Sequence, residues 1–316
     1  MSSGPSSHVN RRVAIVAMFV GLAVLWGLSF LAIAVGLESL EPVLFAAFRY
    51  DIAAVLLLGY ALFSGIAWRP TTRRNALGVV AGGVFLVAAN AFLFVGQQTV
   101  PSDVASIMQG LVPIATSLWA LGLLPEERLS TSDAVGIALG FVGVGLIVRP
   151  DPANLLGADV VGRLLILLQV AGVALGGVLV QRIRPTIDKV ALSGWSMLVG
   201  GIVLHAVSAG IGEPFTVPST PEAGLAVGYL GVFATAVAFF IYFTLLEVRG
   251  ALETSLVAYL VPVVATVAGV AVLGESITLL TLVGFFIVFA GFVSLKYRAI
   301  ADLVDEGRVA IESAGD

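Results

Sequence analysis

Long runs of apolar residues dominate the chain, and short polar connections separate them. Ten runs are near the length of about 20 residues that an α-helix needs to cross the hydrocarbon core of a bilayer. The runs are continuous rather than alternating, so they predict helices and exclude a β-barrel. The predicted spans are Val13–Gly36, Pro42–Gly65, Asn75–Gly96, Asp103–Leu124, Asp133–Val148, Asp159–Gln181, Lys189–Gly210, Glu222–Leu246, Thr254–Leu273 and Thr278–Leu295.

Composition strengthens the membrane interpretation. The 316 residues are 59% hydrophobic and 11% charged, and the mean hydropathy is +1.07. A soluble domain carries roughly 25% charged residues, so a cytosolic enzyme, a nucleic-acid binder and a disordered protein are excluded. With no cysteine and two histidines, the sequence predicts no disulfide, no metal centre and no cofactor.

The positions of the basic residues predict the orientation in the plasma membrane. With both termini in the cytoplasm, 13 of the 16 Lys and Arg residues lie on the inner side, as the positive-inside rule requires. Residues 1–12 then form a cytoplasmic tail, and the acidic segment 299–316 forms a second one. The first span follows two arginines, as a signal peptide does, but its apolar run of about 23 residues is too long for one, so we expect it to be retained.

The two halves of the chain resemble each other at a shift of 148–149 residues. Each half contains five predicted spans, and because five is odd, the second half enters the membrane upside down. We therefore expect an all-α integral membrane protein of ten transmembrane helices, built as inverted five-helix repeats over 13–149 and 150–298 around a central cavity. The matched positions are Leu111-Val112-Pro113 with Leu260-Val261-Pro262, Glu127 with Glu275, Gly136 with Gly284, and Gly143 with Gly291.

Several short motifs resemble those of the EamA-type transporters of the drug/metabolite transporter superfamily. Trp26-Gly27-Leu28-Ser29-Phe30 resembles the family's WGxxF entry, and Phe48-Arg49-Tyr50 resembles its LRF segment. The proline and acid pattern in both halves resembles the ends of the fourth and ninth spans, although Pro125-Glu126-Glu127 lacks the usual glycine. The resemblance, which spans Arg12–Arg298, implies a ten-helix bundle with a central cavity and export of small metabolites, amino acids or drugs.

Large polar side chains inside the spans are the candidates for substrate binding, because a polar group in hydrocarbon is costly. Asn90, Gln109 and Tyr259 lie on polar helix faces that should point into the bundle, either lining a cavity or simply packing helices together. Trp26 and Tyr242 are the aromatic residues that we expect to stack on a substrate.

Two charged residues lie deep in the second span. Arg49 either extends to the membrane surface, pairs with an acid or holds a substrate carboxylate. Asp51 is a candidate for ion coupling, or it pairs with another helix, while His205 is expected to be a packing residue. Pro113 and Pro262 lie in mid-span at matched positions, where they form either static bends or hinges.

We therefore expect a secondary transporter that moves a small organic metabolite, most often outward, by alternating access. No phosphate-binding loop is present, so direct ATP drive has no support. The alternatives are a non-catalytic helper or channel-like protein and an intramembrane enzyme, for which no catalytic dyad is present. The expected partners are a small molecule and the lipid bilayer, without nucleic acid. The glycine-rich fifth and tenth spans should pack on each other or form a homodimer.

Overall fold

Helices carry most of the chain that the structure describes. The computed structural model describes residues 5–124, 131–148, 158–274 and 278–295, and no strand occurs within these residues. The helices, labelled in chain order, are α1 Pro5–Leu37, α2 Pro42–Phe63, α3 Arg73–Gly96, α4 Ser102–Leu123, α5 Thr131–Val148, α6 Ala158–Ile183, α7 Lys189–Gly210, α8 Pro221–Ala251, α9 Glu253–Leu273 and α10 Leu279–Leu295.

The apolar runs seen in the sequence are helices in the structure. In the described part of the chain, eight helices are long and apolar enough to cross a membrane, namely all except α5 and α10. The prediction of an all-helical chain with many membrane-spanning segments is therefore confirmed. Helices α5 and α10 lie where the fifth and tenth spans were predicted.

The start of α2 is fixed by a residue from the other half of the chain. Pro42 opens the helix, where a missing N–H has no cost. The carboxylate of Glu213, in the α7–α8 connection, accepts hydrogen bonds from the backbone N–H groups of Val43 and Leu44 at 3.0 and 2.9 Å. A carboxylate at this end of a helix also meets the positive pole of the helix dipole.

Helices α2 and α7 pack against each other in antiparallel directions. Gly194, near the start of α7, faces Leu58 near the end of α2, whereas Gly201 further along α7 faces Tyr50, which lies earlier in α2. A Cβ on Gly194 would stand 2.9 Å from Leu58, and one on Gly201 would stand 3.0 Å from an Asp51 oxygen, so the two helices approach closely.

Helices α5 and α10 form a second antiparallel pair. A Cβ on Gly143 would stand 2.5 Å from Val288, and one on Gly291 would stand 2.6 Å from the carbonyl oxygen of Gly136. The expectation that these glycine faces pack on each other is confirmed within the chain. A homodimer through the same helices stays a prediction.

The remaining helix contacts follow the internal repeat. Each contact named below has a counterpart between the equivalent helices of the other half. Helix α1 packs against α9, and α4 packs against α6, which is the same pair after a shift of five helices. Likewise α3 packs against α7, and α8 packs against α2.

Two widened turns also occupy matching positions. A π-helical turn spans Gly82–Val87 in α3, and another spans Val232–Val237 in α8, so after the repeat shift of 149 residues the two turns begin one residue apart. Such turns are rare and occur mostly at functional sites.

Some of the sequence predictions fall outside the described residues. These are the acid positions Glu127 and Glu275 of the repeated motif, the boundary between the halves at 149–150, and the tail 299–316.

We expect Gly143→Ala to lower the free energy of unfolding by about 1–3 kcal/mol, because the added methyl group would overlap Val288 and the backbone of α10. The matched control is Gly145→Ala, two residues away, where a Cβ would meet nothing within 4 Å. Thermal unfolding of the purified variants in detergent measures both. Equal melting temperatures for the two variants would contradict the α5–α10 contact.

Candidate functional site

A central cavity lies between α1, α2, α3, α4, α6, α8 and α9. It holds about 90 Å³ in which the centre of a water molecule can move. Its wall combines aromatic and aliphatic side chains with neutral amides and hydroxyls. Of the described residues that line it, Arg49 alone carries a charge. The sequence-predicted residues Trp26, Arg49, Asn90, Gln109 and Tyr242 all lie in this wall.

Three side-chain amides form a hydrogen-bonded chain along one side of the cavity. The Asn90 amide donates to the backbone carbonyl of Leu86 at 2.6 Å and accepts from the Gln169 amide at 3.3 Å. Gln169 in turn accepts from the Gln109 amide at 3.0 Å. These bonds join α3, α6 and α4, and each side chain is buried. Because the amides satisfy one another, polar groups can stand in an apolar bundle at low cost.

Arg49 is buried on the α2 side of the cavity, with 5% of its surface exposed. Its guanidinium carbon lies 4.3 Å from the centre of the Tyr50 ring and 4.8 Å from that of Phe94. One terminal nitrogen donates to the Tyr50 hydroxyl, while the Nε atom has no hydrogen-bond partner. Of the three alternatives from the sequence, extension to the surface does not fit this burial. No acid among the described residues forms an ion pair with Arg49.

An aromatic cluster forms another part of the cavity wall. The Trp26 ring lies 5.8 Å from Phe239 and 5.6 Å from Tyr242. The Trp26 indole donates to the carbonyl oxygen of Ala234, which belongs to the widened turn of α8. This bond holds the ring in place, so the cavity wall has fixed aromatic surface as well as polar groups.

Tyr259 occupies a different place from the one expected. Its ring packs edge-on against Phe285 and Phe289 of α10, at 6.3 and 5.1 Å between ring centres, and it is not among the cavity-lining residues. The next residues of α9 toward its start, Val257 and Ala258, line the cavity instead. The one-residue difference turns the tyrosine toward the α9–α10 interface, since successive helical side chains diverge by about 100°.

The two prolines stand next to cavity-lining residues. Pro113 and Pro262 are buried in α4 and α9. Each lacks the N–H group that would bond to the carbonyl four residues earlier, which belongs to Gln109 in α4 and Ala258 in α9. Both of these residues line the cavity. In α4 a 3₁₀ turn over Gln109–Leu111 accommodates the proline.

Asp51 pairs with His205 rather than facing the cavity. A carboxylate oxygen of Asp51 lies 2.7 Å from Nε2 of His205, across the α2–α7 interface. Phe48 packs edge-on against the histidine ring. His205 therefore packs against Phe48, as expected, and is also the hydrogen-bond partner of Asp51, the acid of α2.

Gln169 and Phe239 belong to the site although the sequence argument did not single them out for substrate binding. Gln169 is the middle member of the amide chain, and its size is the signal that selected Gln109. Phe239 follows Asn90 by 149 residues, so the internal repeat alone points to it.

Comparison with known proteins gives consistent matches over most of the chain. Residues 13–149 and 160–296 each match the EamA-like transporter family. An uncharacterized inner membrane transporter of Escherichia coli (strain K12), YedA, is 33% identical over 261 residues, which cover 81% of this chain and 82% of YedA. Protein PecM of Dickeya dadantii is 27% identical over 86% of this chain and 88% of its own.

The fold has a counterpart among solved structures. A crystal structure of a protein superimposes with a TM-score of 0.66 and covers 89% of this chain and 97% of the other. The two sequences are 19% identical, so the likeness shows the shared fold.

Proposed function

The chain belongs to the EamA-like transporter family of the drug/metabolite transporter superfamily, and we propose that it is a secondary transporter that exports a small organic molecule by alternating access. The observation that supports this most is the central cavity, which combines hydrogen-bonding amides with an aromatic wall. A few polar groups in an otherwise apolar pocket are typical of sites that bind small molecules.

The proposed architecture is a multi-pass membrane protein of ten crossings in two inverted five-helix repeats. The antiparallel pairs α2–α7 and α5–α10 support inversion, because the members of each pair are equivalent helices of the two halves. The helix pairings that survive exchange of the halves, and the matched widened turns, support the same symmetry. In this arrangement the two halves can exchange conformations, which would turn the cavity from one side of the membrane to the other.

Gln109, Asn90, Trp26, Tyr242 and Arg49 are the proposed substrate contacts. Each lines the cavity, and together they provide hydrogen-bonding groups and aromatic surface. Pro113 and Pro262 are proposed as hinges, because each disturbs its helix beside a cavity-lining residue.

The proposed location is the plasma membrane, with both termini in the cytoplasm. The distribution of Lys and Arg supports this orientation, since 13 of 16 then lie on the inner side. Arg73 would face the cytoplasm, and Val217, in the α7–α8 connection, would face outward.

Asp51 and His205 are proposed as the ion-coupling pair. They join α2 to α7, the two equivalent helices that pack on each other, so a change in this contact would accompany a movement of the halves. Gly201 leaves the space that the carboxylate occupies, because a Cβ there would stand 3.0 Å from an Asp51 oxygen.

We expect Gln109→Leu to reduce substrate flux in proteoliposomes at least about tenfold, because the change removes a polar contact and leaves the Gln169 carbonyl without its donor. A growth-resistance screen of expressing cells against a metabolite panel first identifies the substrate. Gln98→Leu is the control, since Gln98 is exposed on the same half. Normal flux through a folded Gln109→Leu protein would contradict the assignment of the cavity as the substrate site. Absence of flux for every compound of the panel would contradict transport.

Single cysteines test the orientation, since the natural chain has none. We expect Val217→Cys, at an exposed position, to react with a membrane-impermeant maleimide in whole cells, and Arg73→Cys to react after the cells are opened. The reverse labelling pattern would place the termini outside.

We expect Asp51→Asn to abolish accumulation driven by a proton gradient while substrate counterflow continues, because exchange needs no net proton movement. Asp159→Asn is the matched control, as Asp159 pairs with Arg163 within one turn of α6. Undiminished proton-driven accumulation by Asp51→Asn would assign coupling to other residues.

A further inference from the structure

The described wall of the cavity carries a positive charge, and no described residue of the wall is acidic. Arg49 is the charged member of the described lining, and the other polar members are neutral amides and hydroxyls. A buried charge is costly unless an opposite charge or several hydrogen bonds compensate it. The cavity therefore favours an anionic group over a neutral or cationic one.

The hydrogen bonds of Arg49 are incomplete. A guanidinium has five N–H donors. Here one nitrogen donates to the Tyr50 hydroxyl, and the buried Nε atom has no partner. The Tyr50 and Phe94 rings give the cation an aromatic environment, but ring faces do not satisfy the remaining N–H groups in their plane.

Asp51, the acid nearest to Arg49 along α2, contacts a different residue. Asp51 is two residues from Arg49 in α2, but its carboxylate contacts His205 on α7. Two positions along a helix turn a side chain by about 200°, so Asp51 and Arg49 occupy opposite faces. Arg49 thus remains directed at the cavity without an acidic partner among the described residues.

We infer that the substrate is a monocarboxylate with an aromatic or other flat apolar body. A carboxylate matches the fork of donors on a guanidinium, and one guanidinium balances one negative charge. The amide chain through Asn90, Gln169 and Gln109 supplies neutral hydrogen bonds beside it, and the Trp26 wall receives the apolar body. This inference rests on the proposed transport function and adds the chemical class of its substrate.

Three probes of nearly the same shape separate charge from shape: phenylacetate, phenylacetamide and phenethylammonium. Binding to the purified protein in detergent is measured by calorimetry and by thermal shift, at low salt. We expect phenylacetate to bind at least about tenfold more tightly than either of the others, as a charge-assisted pair requires. Two results would overturn the inference. In the first, phenylacetamide or phenethylammonium binds as tightly as phenylacetate, and in the second no probe binds.

Variants locate the preference at Arg49. Arg49→Gln should bring phenylacetate and phenylacetamide to within about threefold of each other, and Arg49→Lys should keep part of the preference because it keeps the charge. Arg163→Gln is the control, because Arg163 pairs with Asp159 outside the cavity lining. If Arg49→Gln does not fold, the comparison of the three probes on the natural protein remains the test of the proposed substrate class. A full preference in folded Arg49→Gln would overturn the assignment to Arg49.

Sodium chloride titration distinguishes a carboxylate site from a general anion site. Chloride that binds as tightly as phenylacetate would overturn the carboxylate assignment, and chloride that binds more weakly supports it. The failure of the inference is separable from the failure of transport. If proteoliposomes move a neutral or cationic compound while carboxylates neither bind nor move, transport stands and the monocarboxylate class falls.

Discussion

A polar group inside a membrane protein must find its hydrogen-bond partner in the protein, since the surrounding hydrocarbon offers none. This constraint explains where the polar side chains of the bundle stand. The amides of Asn90, Gln169 and Gln109 bond to one another, and the Trp26 indole bonds to a backbone carbonyl of a widened turn. Arg49 is one of several described groups that depart from the rule, along with Gln97, Thr235 and Thr254, because its buried Nε atom has no hydrogen-bond partner. Arg49 is the charged one of these groups and it borders the cavity, so it is the position where an anionic ligand would compensate a buried charge.

The same absence of water explains why glycine holds the halves together. Lipid tails are as apolar as leucine, so helices gain little from hiding apolar surface and associate through close backbone contact. Gly194 and Gly201 provide that contact between α2 and α7, and Gly143 and Gly291 provide it between α5 and α10. Both interfaces join equivalent helices of the two halves. In the proposed inverted arrangement, this close packing would let the halves tilt against each other.

Much of the fold could be predicted because apolar run length is a strong signal, and the spans coincide closely with the helices. The cavity was predictable in part, since size alone identifies amides such as Gln109 as unsuited to simple packing. The placement of Tyr259 was not, because a difference of one residue decides whether a helical side chain faces the cavity or the neighbouring helix. The pairing of Asp51 with His205 could not be predicted from the sequence pattern either, because it joins residues 154 positions apart and depends on how α2 and α7 are aligned.

The widened turn in α3 has a geometric consequence for Asn90. A π turn accommodates one residue more than an α turn, and the tighter 3₁₀ turn Ala88–Asn90 follows it, so the side chains after Val87 depart from the direction that an unbroken α-helix would give them. Gly83 and Asn90, seven residues apart, would share a face in a regular helix, but the intervening extra residue separates their directions. The orientation of this amide is thus encoded in chain length rather than in side-chain chemistry. A deletion of one residue upstream would swing Asn90 out of the cavity while leaving the composition of the helix almost untouched.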